Sequence, residues 1–136
     1  MRDIPSCPLP SYAYIPGKNP RHVDLLLPPV PHSYQGINDP EFLARFHFGI
    51  DCFNHEFYWE THEALEGLWH LVGRQTSDVG KALQSIILLS AAHLKTFCQD
   101  HQNVRAWSSS RSLISGMDLK IFSELGMDGE RYCRDL

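Results

Sequence analysis

The distribution of proline divides this 136-residue chain at Pro40. All nine prolines lie at or before that residue, and the following 96 residues contain none. A proline inside a helix removes a backbone hydrogen bond and clashes with the preceding turn, so only the second part can be continuously helical. We therefore expect a proline-rich arm without regular structure over residues 1–37 and a helical bundle domain over residues 38–136.

The arm is too apolar for a solvated linker, because disordered segments are normally poor in aromatic residues. Its apolar positions include Tyr12, Tyr14, Ile15, Tyr34 and the run Leu25-Leu26-Leu27. We expect the arm to pack on the bundle as a strap that covers exposed core. Two alternatives are a lid over an ionisable site and a ligand for a proline-binding domain of a partner.

Apolar residues recur at helical spacing throughout the second part of the chain. A first helix begins at the cap Asn38-Asp39-Pro40-Glu41, and Gly73 is suited to a left-handed cap at the end of the second. The pattern predicts helices over residues 39–54, 57–72, 77–98, 103–115 and 118–125, with a polar break at 99–103. No segment alternates with a period of two, so the expected fold is all-α, an antiparallel bundle of four to five helices.

Composition excludes several classes of protein. The net charge of −4, with lysine and arginine scattered, gives no basic surface for nucleic acid. The most apolar run, residues 86–92, is far shorter than the roughly 20 residues that span a bilayer. Residues 1–8 lack the apolar core of a secretory signal. The four cysteines are too far apart for a zinc or dithiol motif: they are Cys7, Cys52, Cys98 and Cys133. We expect a cytoplasmic protein with reduced thiols, either monomeric or homo-oligomeric.

The second predicted helix carries ionisable groups within its aromatic stripe. At about 100° per residue, His62, Glu66 and Trp69 lie within a sector of roughly 60°, which Tyr58 and Leu65 extend. Burying such groups is costly unless they pair or bind something. The pattern predicts a pocket lined by this sector, with Tyr58 and Trp59 as further lining residues.

Two chemistries fit that pocket. His62 and Glu66 are four residues apart, so both could reach one divalent ion, such as zinc, manganese or iron, at about 2.0–2.2 Å. A third ligand must come from elsewhere: His93 is the first candidate, followed by His55 or Glu63. The protein would then be a metal-binding protein for an unknown small molecule, and a hydrolase if Glu63 or a bound water acts as the base.

The alternative is that His62 and Glu66 form a hydrogen-bonded pair that fixes the packing of a non-catalytic interaction or assembly bundle. No nucleophile with a matched base is evident, so the catalytic residues stay unassigned apart from Glu63. The segment His62-Glu63-x-x-Glu66 lacks the second histidine of the zinc-protease motif, and no Glu-x-x-His pair supports a ferritin-like centre.

The run from Phe53 to Trp69 resembles the signature of a small bacterial and archaeal family, domain of unknown function 309. The family motif His-x3-Glu-x2-Trp is matched by His62, Glu66 and Trp69. Similarity continues through residues 83–93 to positions 103 and 106, and residues 9–17 look like the N-terminal extension of some members. The resemblance implies an all-helical fold with a metal site, and it implies no known reaction.

Overall fold

The computed structural model describes residues 7–23, 25–97, 103–115, 117 and 120–127. Within these ranges the chain forms helices and no strand, which confirms the predicted all-α class. The helices are α1 (Pro40–Asn54), α2 (Tyr58–Leu71), α3 (Asp78–Phe97), α4 (Asn103–Ile114) and α5 (Lys120–Glu124), with one 3-10 turn at Arg74–Thr76. Outside the described residues lie 118–119, at the start of the predicted fifth helix, positions 99–102 of the predicted break, Cys98 and Cys133. The last position of that break, Asn103, is the first residue of α4.

Local chemistry explains where α1 and α2 begin and end. The Asp39 side chain accepts a hydrogen bond from the Glu41 N–H at 3.1 Å, and Pro40 occupies the first helical position. After α2, Gly73 adopts a φ of +86°, a left-handed conformation that favours glycine. The chain then turns into α3, where a side chain on Gly80 would collide with the Arg74 carbonyl oxygen at 1.6 Å.

The main core lies where α1, α2, α3 and α5 meet, and α3 also packs along α4. Its fully buried residues include Phe42, Phe46, Leu65, Leu68, Leu83 and Phe122. Each such side chain contributes about 1.5–3 kcal/mol of hydrophobic stabilisation relative to an exposed one. This core fixes α2 against α3, and that interface positions the predicted site.

A second, smaller cluster joins the arm to the bundle. Phe48, Cys52 and Ala64 form its buried centre, and the arm residues Cys7, Leu9 and Leu27 pack against it. Described arm residues 7–23 and 25–37 contain neither helix nor strand. Cys7 and Cys52 are thiols rather than a disulfide. No helix among the described residues is long and apolar enough to cross a membrane.

Arg45, which is buried on α1, connects this helix to α2 and to the arm by hydrogen bonds. Its Nε donates to the Ala64 carbonyl oxygen at 2.7 Å and its Nη2 to that of Glu63 at 3.1 Å, both on α2. Its Nη1 donates to the Pro28 carbonyl oxygen of the arm at 2.7 Å. Burial lowers the pKa of Arg45, and the Glu63 carboxylate opposes that shift. Charge-assisted hydrogen bonds of this kind are among the stronger polar contacts in proteins.

Candidate functional site

The sector that carries the family motif lies at the edge of the core rather than within it. Thr61, Leu65 and Leu68 form the fully buried side of α2. The side chain of His62 is 37% exposed and that of Glu66 is 41% exposed. The expectation that these two groups are buried is therefore wrong, and burial alone gives no reason for them to bind a ligand.

The geometry of His62 and Glu66 nevertheless suits a metal ion. His62 Nε2 lies 3.4 Å from Glu66 Oε2. Two ligand atoms about 2.1 Å from one tetrahedral ion are about 3.4 Å apart, so little rearrangement would be needed. One ligand atom from each of His62, Glu63 and Glu66 falls within 4.8 Å of the other two.

Glu63 lies on the other side of the imidazole ring. Its Oε1 is 3.7 Å from His62 Nδ1, whereas Glu66 faces Nε2. Because each ring nitrogen can bind only one partner at a time, an ion at His62 Nε2 would have Glu66, rather than Glu63, as its second ligand in these side-chain positions. Glu63 is then placed to orient the ring through Nδ1–H, as carboxylates beside metal-bound histidines commonly do. His70 Nε2 lies 3.6 Å from Glu66 Oε1, on the outer side of that carboxylate.

A pocket of about 90 Å³ opens beside this pair, between α2 and α3. It is lined by His62, Glu66, Trp69, Gln84, Ile87 and Leu88. Trp69 Nε1 and Gln84 Oε1 are buried atoms with no hydrogen-bond partner among the described residues. An unsatisfied buried donor or acceptor costs about 1–3 kcal/mol, so a ligand or water that pairs with these two atoms would gain free energy.

His93, the first candidate for a third ligand, lies among aromatic rings. It stacks on Tyr58 with a centroid distance of 4.7 Å and an interplanar angle of 12°. Phe53 and Trp107 contact the same imidazole at 5.8 and 5.3 Å. Burial lowers the pKa of His93, with the Glu56 carboxylate opposing that shift, and so favours the neutral form of the ring. It is not a member of the ligand group formed by His62, Glu63 and Glu66.

The other candidates are dispersed as well. His55 lies just after α1, where its Nδ1 donates to the Asp51 carbonyl oxygen at 2.8 Å. Tyr58 belongs to the aromatic cluster of His93, and Trp59 packs edge-on against Tyr14 of the arm at 4.9 Å. Of the three predicted aromatic lining residues, the structure places Trp69 alone beside His62 and Glu66.

Sequence reasoning missed the one carboxylate of α2 that is fully buried. Glu60 is 0% exposed and lies beneath the arm. Its Oε2 accepts hydrogen bonds from the Tyr14 N–H at 2.9 Å and from His22 Nε2 at 2.5 Å. Its Oε1 has no hydrogen-bond partner among the described residues. Burying a carboxylate without hydrogen-bond partners costs several kcal/mol. The hydrogen bonds from the arm offset this cost for Glu60.

Small side chains on the same face of α2 could have indicated that the arm packs there. Ala64 and Gly67 follow Glu60 by four and seven residues, so all three lie on one line along the helix. A side chain on Gly67 would meet Val30 Cγ2 at 2.8 Å and Arg45 Nη2 at 3.0 Å. Glycine inside a helix costs about 1 kcal/mol relative to alanine, and the close approach of the arm explains its presence.

Residues 46–106 match the sequence model of the family described as Domain of unknown function (DUF309). This part of the chain, from α1 to α4, is similar to the DUF309 family. The match confirms the resemblance inferred from the motif helix, and it runs from within α1 to the first residues of α4. The arm and Arg45 lie before the matched residues. No curated protein and no solved structure matches the chain.

Proposed function

We propose that this protein binds a divalent metal ion, such as zinc, manganese or iron, through His62 Nε2 and Glu66 Oε2. The distance of 3.4 Å between these atoms is the observation that carries the proposal. Both side chains are more than one-third exposed, so an ion can reach them without opening the fold. These two ligands are one fewer than the three protein ligands usual in a catalytic zinc site, so Glu63, the third member of the group, or water and a small molecule would complete the coordination.

The pocket beside the pair supplies a place for that molecule. Trp69 Nε1–H is a donor and Gln84 Oε1 is an acceptor, and both lack partners among the described residues. At about 30 Å³ per water molecule, the 90 Å³ pocket accommodates about three waters or a polar group of similar size. This donor and acceptor match a group that both accepts and donates a hydrogen bond, such as an amide.

A metal-dependent hydrolase is the more specific form of the proposal. A bound divalent ion lowers the pKa of water and polarises a carbonyl or phosphoryl oxygen. Glu63 is the candidate base, since its carboxylate is 39% exposed and adjoins His62. Glu63 can serve either as that base or as the group that orients the His62 imidazole. A Glu63→Gln variant that keeps metal affinity but loses activity would show that Glu63 is not needed as a metal ligand.

The competing hypothesis is that the His62–Glu66 pair is purely structural. Its separation of 3.4 Å and its exposure are those of a surface ion pair, which contributes about 0–1 kcal/mol. Such a contribution is too small to organise the bundle. A His62→Ala variant should therefore fold with nearly wild-type stability, which makes the metal experiment interpretable.

The experiment uses untagged protein purified without chelator. We expect stoichiometric metal by elemental analysis, or a rise in Tm on adding Zn²⁺, Mn²⁺ or Fe²⁺. Binding at a free metal concentration 100 times Kd stabilises the fold by about 2.7 kcal/mol. His62→Ala and Glu66→Gln should abolish the effect, whereas the control His32→Ala, at an exposed arm position, should retain it. Neither metal nor a Tm shift in the wild type, or an equal shift in His62→Ala, would overturn the proposal.

A further inference from the structure

The carboxylate of Glu66 has a histidine on each side. Its Oε2 lies 3.4 Å from His62 Nε2, and its Oε1 lies 3.6 Å from His70 Nε2. The three residues follow one another at intervals of four along α2, so their side chains lie one turn apart on the same face of the helix. Each oxygen of Glu66 therefore has a different imidazole nitrogen as its neighbour.

His70 is a neighbour of the proposed ligand Glu66 and not a further ligand of the same ion. The group whose ligand atoms could share one ion contains His62, Glu63 and Glu66. Eight residues of helix separate His62 from His70, which is about 12 Å along the axis. The two imidazoles therefore approach Glu66 from opposite ends, one at each carboxylate oxygen.

The contact between His70 and Glu66 can become a hydrogen bond with little movement. A carboxylate oxygen can only accept, so His70 Nε2 is the donor of such a bond whether the ring is neutral or charged. Shortening the separation of 3.6 Å by about 0.5 Å brings it into hydrogen-bond range. The side chains are 48% and 41% exposed, so this adjustment requires little repacking. The Trp69 ring lies against the His70 imidazole at a centroid distance of 5.1 Å and limits where that imidazole can lie.

A hydrogen bond to the second oxygen matters when a carboxylate binds an ion through the first. Carboxylates that bind metal ions are commonly hydrogen-bonded by an outer group, which fixes their orientation. Loss of such an outer partner typically lowers metal affinity by about 10–100-fold. His70 occupies the outer position for Glu66, and Glu63 is placed similarly beside Nδ1 of His62.

We propose that His70 is a positioning residue of the metal site, which donates a hydrogen bond from Nε2 to Glu66 Oε1 and so holds Glu66 to bind the ion through Oε2 alone. The inference rests on the proposed metal site at His62 and Glu66. His70 lies one residue beyond the family motif that ends at Trp69. Binding through one oxygen uses a single coordination position, which leaves more positions for water or for a small molecule in the adjoining pocket.

The test compares two replacements of His70 in the untagged full chain. His70→Gln keeps an N–H donor at a similar reach, although an amide nitrogen does not bind divalent ions, whereas His70→Leu removes the donor. His32→Leu, at an exposed arm position, is the control. Calorimetry at pH 8 measures Kd for the ion among Zn²⁺, Mn²⁺ and Fe²⁺ that raises the Tm of the wild type most. The Tm of each metal-free variant measures any effect on the fold itself.

We expect His70→Leu to raise Kd about tenfold, the low end of the usual range because the pair is exposed. His70→Gln should stay within about threefold of the wild type, and His32→Leu should equal it. Metal-free Tm values should differ by less than about 2 °C, because exposed ion pairs contribute little to stability.

Equal Kd values in the wild type and His70→Leu would overturn the inference and leave the metal site intact. A tenfold loss in His70→Gln as well would also overturn it, because the effect would then depend on the imidazole ring and not on the donated hydrogen bond. Absence of binding by the wild type would refute the metal site, and this inference with it.

Discussion

Replacing Glu60 tests whether a single buried carboxylate holds the arm on the bundle. In Glu60→Ala, the Tyr14 N–H and His22 Nε2 both lose their acceptor. Each unsatisfied buried group costs about 1–3 kcal/mol, so the loss of both acceptor contacts should cost about 2–6 kcal/mol. Glu60→Gln keeps a carbonyl oxygen but loses the charge, so we expect a smaller loss of about 1 kcal/mol.

The matched control is Glu63→Gln, three residues further along the same helix. Glu63 is 39% exposed and lies 3.7 Å from its histidine neighbour, so its replacement should change the free energy of unfolding by less than about 0.5 kcal/mol. Urea unfolding measures the global effect. Amide hydrogen exchange at Tyr14 measures the local one, because that N–H is the donor to Glu60.

The two measurements separate global unfolding from release of the arm. If the arm opens alone in Glu60→Ala, the Tyr14 amide exchanges about a hundredfold to a thousandfold faster, as expected for a loss of about 3–4 kcal/mol. Unchanged exchange at Tyr14 would refute the idea that this carboxylate holds the arm. Equal losses of unfolding free energy in Glu60→Gln and Glu63→Gln would refute the idea that the buried Glu60 contributes more to stability than the exposed Glu63.

Three further predictions concern packing and pH. Gly67→Ala should cost about 1 kcal/mol, since the clash with Val30 outweighs the gain in helix propensity, and most of this cost should vanish in a Val30→Ala background, as measured by urea unfolding. Gly80→Ala should cost about 3 kcal/mol because its Cβ would lie 1.6 Å from the Arg74 carbonyl oxygen; a loss below about 1 kcal/mol would contradict this. Burial lowers the pKa of His93 below 6.5, so the unfolded chain binds the proton at a higher pH than the folded protein does. Stability should therefore fall as the pH drops below 6.5, and by less in His93→Gln; equal pH dependence in both proteins would contradict this.

The helices could be predicted because their determinants are local. Proline confined to the first 40 residues, the cap at Asp39 and the left-handed Gly73 each act within a few residues. Where the predicted ends fall on described residues, they are within two residues of the observed ones. Helix formation depends on such short-range features, so one sequence is sufficient to locate the helices.

Burial around α2 was harder to predict because periodicity gives the direction of a side chain and not its depth. His62 and Glu66 share a sector with Trp69, and the tryptophan made that sector look like core. The structure places the sector at the rim of the α2–α3 interface, where one edge is apolar and the other meets solvent. The position of α3 decides this, and no pattern within α2 contains that information.

The Glu60 contacts depend on residues still further away in sequence. Its partners His22 and Tyr14 precede it by 38 and 46 residues. Tertiary pairing over such distances leaves no periodic trace, although the small residues Ala64 and Gly67 on the same face indicate close packing by another segment.

The two ionisable sides of α2 can act independently because they face nearly opposite directions. Glu60 and His62 are two residues apart, which separates their side chains by about 200° around the helix. The Glu60 side contacts the arm, whereas the described lining of the His62 pocket comes from α2 and α3. In this arrangement the arm acts as a strap on one side while the family motif remains open on the other. Metal added at His62 should therefore leave amide exchange at Tyr14 unchanged.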